Sequence, residues 1–272
     1  NPSNLWFIVV SIVLLVVLIF VEKQSLDPIL PLKLFKNRLF VVAFLHGILA
    51  GWAMFGSLSY VPLFVQAVIG TSATMAGISL TPMSLSWTLT SILGGRFILR
   101  FNFRILAIVG MLLLAVGSFL MTTIGEATSL ITIMVYTSLM GIGMGLTIPV
   151  FMIIVQTSVS KGVLGTATST LQFSRSIGGT IGVSVLGVFL SSRLAKLLVE
   201  SGFDIGSVSL SSVINQSPGT EVAMGETLRL ALSGAMANMF YIAFGAAIVG
   251  LVVVFFTPNG KVTQLSPTNS QQ

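Results

Sequence analysis

Residues 171–187 read LQFSRSIGGTIGVSVLG, a run of apolar and small residues with one arginine, Arg175, set inside it. The composition around it says what kind of run this is. Of 272 residues, 54% are hydrophobic and only 7% are Asp, Glu, Lys or Arg, against about 25% charged residues in soluble domains. A mean hydropathy of +1.03 makes lipid the solvent for most of the chain. The run then belongs to a membrane span, where an arginine costs ~2.5–3.5 kcal/mol on insertion scales. Arg175 lies ten residues past Gly165, or about 15 Å at a rise of 1.5 Å per residue. That is near the middle of a hydrocarbon core roughly 30 Å thick.

Working outward, apolar runs of about 20 residues fall at 5–22, 39–66, 74–98, 105–123, 129–155, 164–190 and 234–256. The expected fold is an all-α integral membrane protein with seven transmembrane helices. Pro62, Pro82 and Pro149 are the expected kinks, which neighbouring helices can tolerate. Basic residues in the connections set orientation. Lys23, Lys33, Lys36, Arg38, Arg96, Arg100, Arg104, Lys161 and Lys261 collect on one side, and Arg193, Lys196 and Arg229 on the other. The first side is expected to be cytoplasmic, with the C-terminus inside. The +6 net charge therefore reads as membrane orientation and not as a nucleic-acid surface. An outside N-terminus without a signal sequence or an initial Met points to the C-terminal part of a longer chain.

Residues 24–38, QSLDPILPLKLFKNR, separate a lone first span from six later ones. Those six form two triplets of opposite direction, 39–123 and 129–256, as an inverted 3+3 repeat of a secondary transporter would. The expected organisation is a linker span and connection at 1–38, a six-helix domain at 39–257 with a long outer loop at 192–232, and a disordered tail at 258–272. Helix is expected to continue from Arg193 to Glu200, and alternation in GSVSLSSVI (206–214) suggests a short strand or hairpin.

Helical spacing puts Thr168, Gln172, Arg175, Gly179 and Gly182 on one stripe, expected to face the bundle interior. Two readings of Arg175 stay open. It ties helices together through carbonyls or an acid, or it lines a transport cavity, where it contacts substrate or lowers the pKa of a nearby carboxylate. The pairs Gly178–Gly182, Gly141–Gly145 and Gly47–Gly51 fit small-xxx-small packing and serve either tight contact or a sliding surface. His46, the one histidine, is a proton relay or a packing residue. Gln66, Gln156 and Gln172 are candidate hydrogen-bonding groups. Trp52, Phe55, Tyr60, Phe64, Trp87 and Phe151 could pad a ligand pocket, with Met83, Met144 and Met152 adapting it.

Three stretches together resemble a known family. EKQSLDPILPLKLFKNRLF (22–40) is similar to the connection before the C-terminal six-helix domain of the fourteen-span drug:proton antiporters, the EmrB/QacA-type branch of the major facilitator superfamily. AGISLTPMSLSWTLTSILGGRFILRFNFR (76–104) resembles a degenerate copy of that superfamily's loop motif, carried here by Gly95, Arg96, Arg100 and Arg104. GVLGTATSTLQFSRSIGGTIGVSVLG (162–187) resembles the penultimate helix of the branch, and its GGTIG (178–182) a second-domain counterpart of the antiporter glycine signature.

The resemblance implies the C-terminal half of a proton-driven exporter of lipophilic drugs. Such a half would work by alternating access in a bacterial cytoplasmic membrane and lack its N-terminal half. The loop motif departs from the family pattern, since no Asp accompanies its arginines. Apart from Glu22 at the very end of the first, the seven spans hold no Asp or Glu, so a coupling acid would have to lie in the absent half, or the protein couples differently. A cationic cavity wall suits neutral lipophilic or zwitterionic substrates better than cations. Without Cys, and with one His, neither thiol catalysis nor a metal cluster is expected, and no cofactor. The alternatives are a specific metabolite or siderophore transporter of the same superfamily and a non-transporting membrane scaffold.

Overall fold

The computed structural model describes residues 32–200 and 226–261, with eight helical positions between Val9 and Val21. The described residues carry helices α1 (Arg38–Ala67), α2 (Ala73–Ile78), α3 (Thr81–Phe97), α4 (Phe103–Leu120), α5 (Leu130–Ser158), α6 (Leu164–Glu200) and α7 (Glu226–Phe255). Among them there is no strand. Residues 206–214, expected as a short strand or hairpin, lie outside the described residues.

Unpaired N–H groups at helix starts are costly near lipid, and short polar side chains meet that need. Asn37 Oδ1 accepts from Leu39 N at 2.9 Å, and Asn102 Oδ1 accepts from Arg104 N at 2.9 Å. Ser129 Oγ does the same for Thr132 N at 3.2 Å. Between the first two spans the chain turns at Gly70, whose φ of 77° suits glycine.

The span read as one helix over 74–98 is two. α2 stops at Ile78, Ser79 Oγ donates to the Ala76 carbonyl at 2.6 Å, and Pro82 then occupies the first turn of α3. Pro82 thus opens a helix, where its missing N–H costs nothing, and does not kink one. Pro62 and Pro149 do lie inside α1 and α5. α6 runs 37 residues, about 55 Å at the helical rise, so it includes the stretch from Arg193 to Glu200. α7 begins at Glu226, earlier than the apolar run at 234 suggests.

Two extensive contacts organise the bundle: α1 on α6, and α3 on α5. α4 lies on α5 nearly as extensively, and smaller contacts join α1 to α7, α4 to α7 and α6 to α7. Exchanging the triplet α1, α3, α4 for α5, α6, α7 maps the two main contacts onto each other, although α6 and α7 also meet where α3 and α4 do not to a comparable extent. Each triplet's first helix lies on the middle helix of the other, an arrangement compatible with an inverted repeat. Each main seam carries a side chain bonded to a backbone carbonyl across it. Tyr60 Oη donates to Val183 O at 2.8 Å, and Ser86 Oγ to Ser138 O at 2.9 Å.

Both seams are also closed by glycine. A Cβ on Gly178 would lie 2.5 Å from the Ile48 carbonyl carbon, and one on Gly51 would lie 2.9 Å from that of Arg175. Gly47 meets Ser174 on the same seam. On the other seam Gly141 meets the Met83 carbonyl, and a Cβ on Gly145 would lie 2.5 Å from that of Trp87. Backbones this close gain dispersion contacts and exclude lipid. Large apolar side chains such as Leu85, Leu89, Ile131, Val135, Val188 and Val252 remain on the outside, as lipid requires.

Candidate functional site

The two seams diverge where α3, α5 and α6 leave an open cavity of about 620 Å³, lined by Trp87, Pro149, Met152, Gln156, Thr168 and Arg175 among others. α5 contributes through Pro149, which has no N–H to offer the Gly145 carbonyl. That carbonyl approaches Gly94 of α3. α6 contributes the polar part of its stripe. Thr168 Oγ1 donates to Leu164 O at 2.9 Å and accepts from Gln156 Nε2 at 3.4 Å. Arg175 Nη2 donates to Gln172 Oε1, one turn earlier on the same helix.

Beside this cavity, between α1, α5 and α6, is a chamber of about 20 Å³, the room of roughly one water. His46, Gly47, Phe151, Leu171, Gln172 and Arg175 line it. His46 is 2% exposed, and its ring packs on that of Phe151 with centroids 4.4 Å apart. Its Nε2 is buried without a hydrogen-bond partner. Ile148, Met152, Gln172 and Arg175 border both spaces, so Arg175 stands where chamber and cavity join.

The stripe on α6 therefore divides. Thr168, Gln172 and Arg175 belong to the cavity. Gly179 and Gly182 instead receive Phe55 and Trp52 of α1, and Gly178 receives the Ile48 carbonyl. Trp52, Phe55 and Tyr60, read as pocket padding, are spent on the α1–α6 seam. Phe64, Met83 and Met144 are fully buried in the core. Of the aromatic candidates, Trp87 lines the cavity and Phe151 the chamber. Gln66 is exposed at the far end of α1.

The arginines of the loop motif have different settings. Arg96 and Arg100 are exposed around the end of α3, with Gly95 half-buried beside them. Arg104 reaches across to α7: Nη2 donates to Phe255 O at 2.7 Å and Nη1 to Asn259 Oδ1 at 3.2 Å. The Arg38 guanidinium stands 6.0 Å over the Phe256 ring. These cations meet the C-terminal end of α7, where orphan carbonyls and the helix dipole favour positive charge. Sequence reading took Arg104 as an orientation signal and missed this clamp, which depends on a residue 151 positions away. Arg104→Ala is expected to expose the Phe255 carbonyl at a cost of about 1 kcal/mol. Hydrogen exchange across residues 250–260 should quicken about fivefold, while exchange in α5 stays the same.

A helical membrane domain with two interlocked triplets and a polar cavity opening part-way along its helices is the architecture of a transporter. The chain belongs to the Major Facilitator Superfamily, whose family profile matches residues 4–183. It is 41% identical over 182 residues to the multidrug transporter protein MdtP of Bacillus subtilis, covering 67% of this chain and 34% of that one. It is 31% identical over 193 residues to multidrug resistance protein 3 of the same organism, covering 71% and 38%. Against vacuolar basic amino acid transporter 2 of Saccharomyces cerevisiae it is 33% identical over 200 residues, covering 73% and 42%. The chain thus spans between a third and a half of the length of these relatives. Among solved structures, a bacterial homolog of the human lysosomal transporter Spinster, inward-facing and occupied, matches with a TM-score of 0.66 at 17% identity. That match covers 83% of this chain and 50% of the other and establishes the fold.

Proposed function

We propose that this chain forms the C-terminal half of a proton-coupled secondary transporter, of the fourteen-span drug:proton antiporter branch, that exports lipophilic drugs or toxic compounds by alternating access. The observation that carries the proposal is the polar cavity at Arg175, walled by Trp87, Pro149 and Met152 and formed where the glycine-closed seams diverge. A cavity of this size holds a drug-sized molecule. Two relatives named for multidrug transport or resistance support drugs as the cargo. Residues 39–257 would be the six-helix domain, 1–38 the linker, and 258–272 the tail. The side bearing Arg38, Arg104 and Lys261 would face the cytoplasm of a bacterium.

Transport in this reading is conformational, not covalent. Substrate and proton shift the equilibrium between inward- and outward-open forms by their differential affinity for the two. The coupling carboxylate is assigned to the remainder of the full-length protein, as the spans present here hold no acid away from their ends. A second reading, a transporter for a specific metabolite, draws on the relative named for basic amino acids. Arg175 argues against cationic side chains entering this cavity.

The test uses full-length protein in inside-out vesicles with an acidified lumen reported by acridine quenching. Addition of an exported drug is expected to release protons and restore fluorescence. If no compound from a panel of lipophilic drugs does so, and expression raises no drug tolerance, the exporter reading fails.

A further inference from the structure

We propose that the cavity selects substrates bearing a carboxylate, held by Arg175 at the mouth of the His46 chamber while an apolar body lies against Trp87, Pro149 and Met152. This rests on the transporter reading above and narrows its substrate class from lipophilic compounds to amphiphilic acids.

The charge balance comes first. Arg175 is a cation inside a membrane span, and the acids of the described residues, Glu126, Glu200 and Glu226, stand in a loop or at helix ends. A guanidinium carries five N–H donors in a planar fork, and the bond to Gln172 Oε1 engages one nitrogen. A cation in a low-dielectric wall attracts anions and repels cations. Its best-fitting ligand is a group that accepts two parallel hydrogen bonds, as a carboxylate does.

An independent observation points to the same place. His46 is 2% exposed and borders the chamber, yet its Nε2 has no hydrogen-bond partner. A buried polar atom left unpaired costs free energy, and a chamber of about 20 Å³ admits a single water. A water there would bond to His46 Nε2 and to a carboxylate oxygen resting on Arg175. The orphaned nitrogen, the water-sized space and the unneutralised cation are thus accounted for by one ligand group.

The rest of the wall fixes what that group is attached to. Gln156 and Thr168 are bonded to each other at 3.4 Å. The wall left for the remainder of the ligand is mainly apolar, Trp87, Ile148, Pro149, Met152 and Leu164, with Ser91 and Ser169 as its remaining polar side chains, the latter bonded to the Thr166 carbonyl. Flat or flexible apolar bodies fit such a surface.

The experiment uses full-length protein in nanodiscs, titrated with 1-pyrenebutyric acid and with its methyl ester after subtraction of binding to empty discs. The acid is expected to bind about tenfold more tightly than the ester, and the ratio to fall to about 1 in Arg175→Gln. Benzoate should displace the bound acid and benzyl alcohol should not, a comparison that needs no variant. A ratio near 1 in the native protein, a preference that survives Arg175→Gln, or no saturable binding of either probe would overturn the proposal. The two levels separate cleanly. A carboxylate preference in a protein that moves no drug in vesicles removes the exporter reading and leaves the site. Drug transport with a ratio near 1 does the reverse.

Discussion

Full-length protein carrying Gly178→Leu is expected to reach the membrane misassembled, protease-sensitive and with under about a tenth of native transport. The reason is backbone against backbone. A Cβ at this position would already lie 2.5 Å from the Ile48 carbonyl carbon and closer still to its oxygen. A side chain can swing away from an intruding carbon, but a carbonyl inside α1 cannot do so without breaking its helix. α1 and α6 would therefore separate along the seam that also holds Gly47, Gly51 and the Tyr60–Val183 bond. Gly141→Leu, facing the Met83 carbonyl on the α3–α5 seam, should behave alike. The matched control is Gly245→Ala on α7, where nothing lies within 4 Å. That change should be neutral or stabilising by up to ~1 kcal/mol through helix propensity. Size-exclusion profiles and thermal melts of the three variants check this. A monodisperse Gly178→Leu protein with native melting would mean that α1 and α6 do not meet as described.

Arg175→Leu should pull stability and activity apart. Its described hydrogen bond stays within α6, so the substitution unties no pair of helices, and it relieves the ~2.5–3.5 kcal/mol cost of a charge at membrane depth. Thermal stability of the full-length protein is expected to hold or rise by a few degrees. Transport of the favoured substrates should fall at least about tenfold, since a bidentate charged contact is worth more than one decade in affinity. A melting temperature that drops while transport persists would make Arg175 a structural tie, the other reading its sequence allowed.

The spans were legible because hydropathy reports where lipid begins and ends. Six apolar runs between 39 and 256 correspond to described helices, and the triplets they form match the packing. What hydropathy does not report is which helix meets which. Gly47–Gly51 and Gly141–Gly145 were recognisable as close-approach pairs, yet nothing local says that the first faces α6 and the second α3. The break at Ser79–Leu80 was read only as a kink at Pro82, because the apolar stretches on either side merge into one run, and the early start of α7 was missed because Glu226 and Arg229 lie outside the apolar run. Arg175 stood out by its cost alone. His46 carried no such signal, since a lone histidine reads the same whether packed or solvated. Its place beside Arg175 depends on α1 and α6 being neighbours, a fact of tertiary structure.

The crossed pairing of the triplets also sets a schedule for biosynthesis. Ile48 meets Gly178, 130 residues later in the chain. At synthesis rates of about 5–20 residues per second, α1 waits on the order of ten seconds in the bilayer before the surface it fits has been made. α3 waits a shorter time for α5. During that interval the bare glycine face of α1 is open to lipid, to insertion factors and to the wrong helix. The domain can therefore close only after α6 has left the ribosome, and a chain stopped short of that point would be left as loose helices, a form that membrane proteases remove.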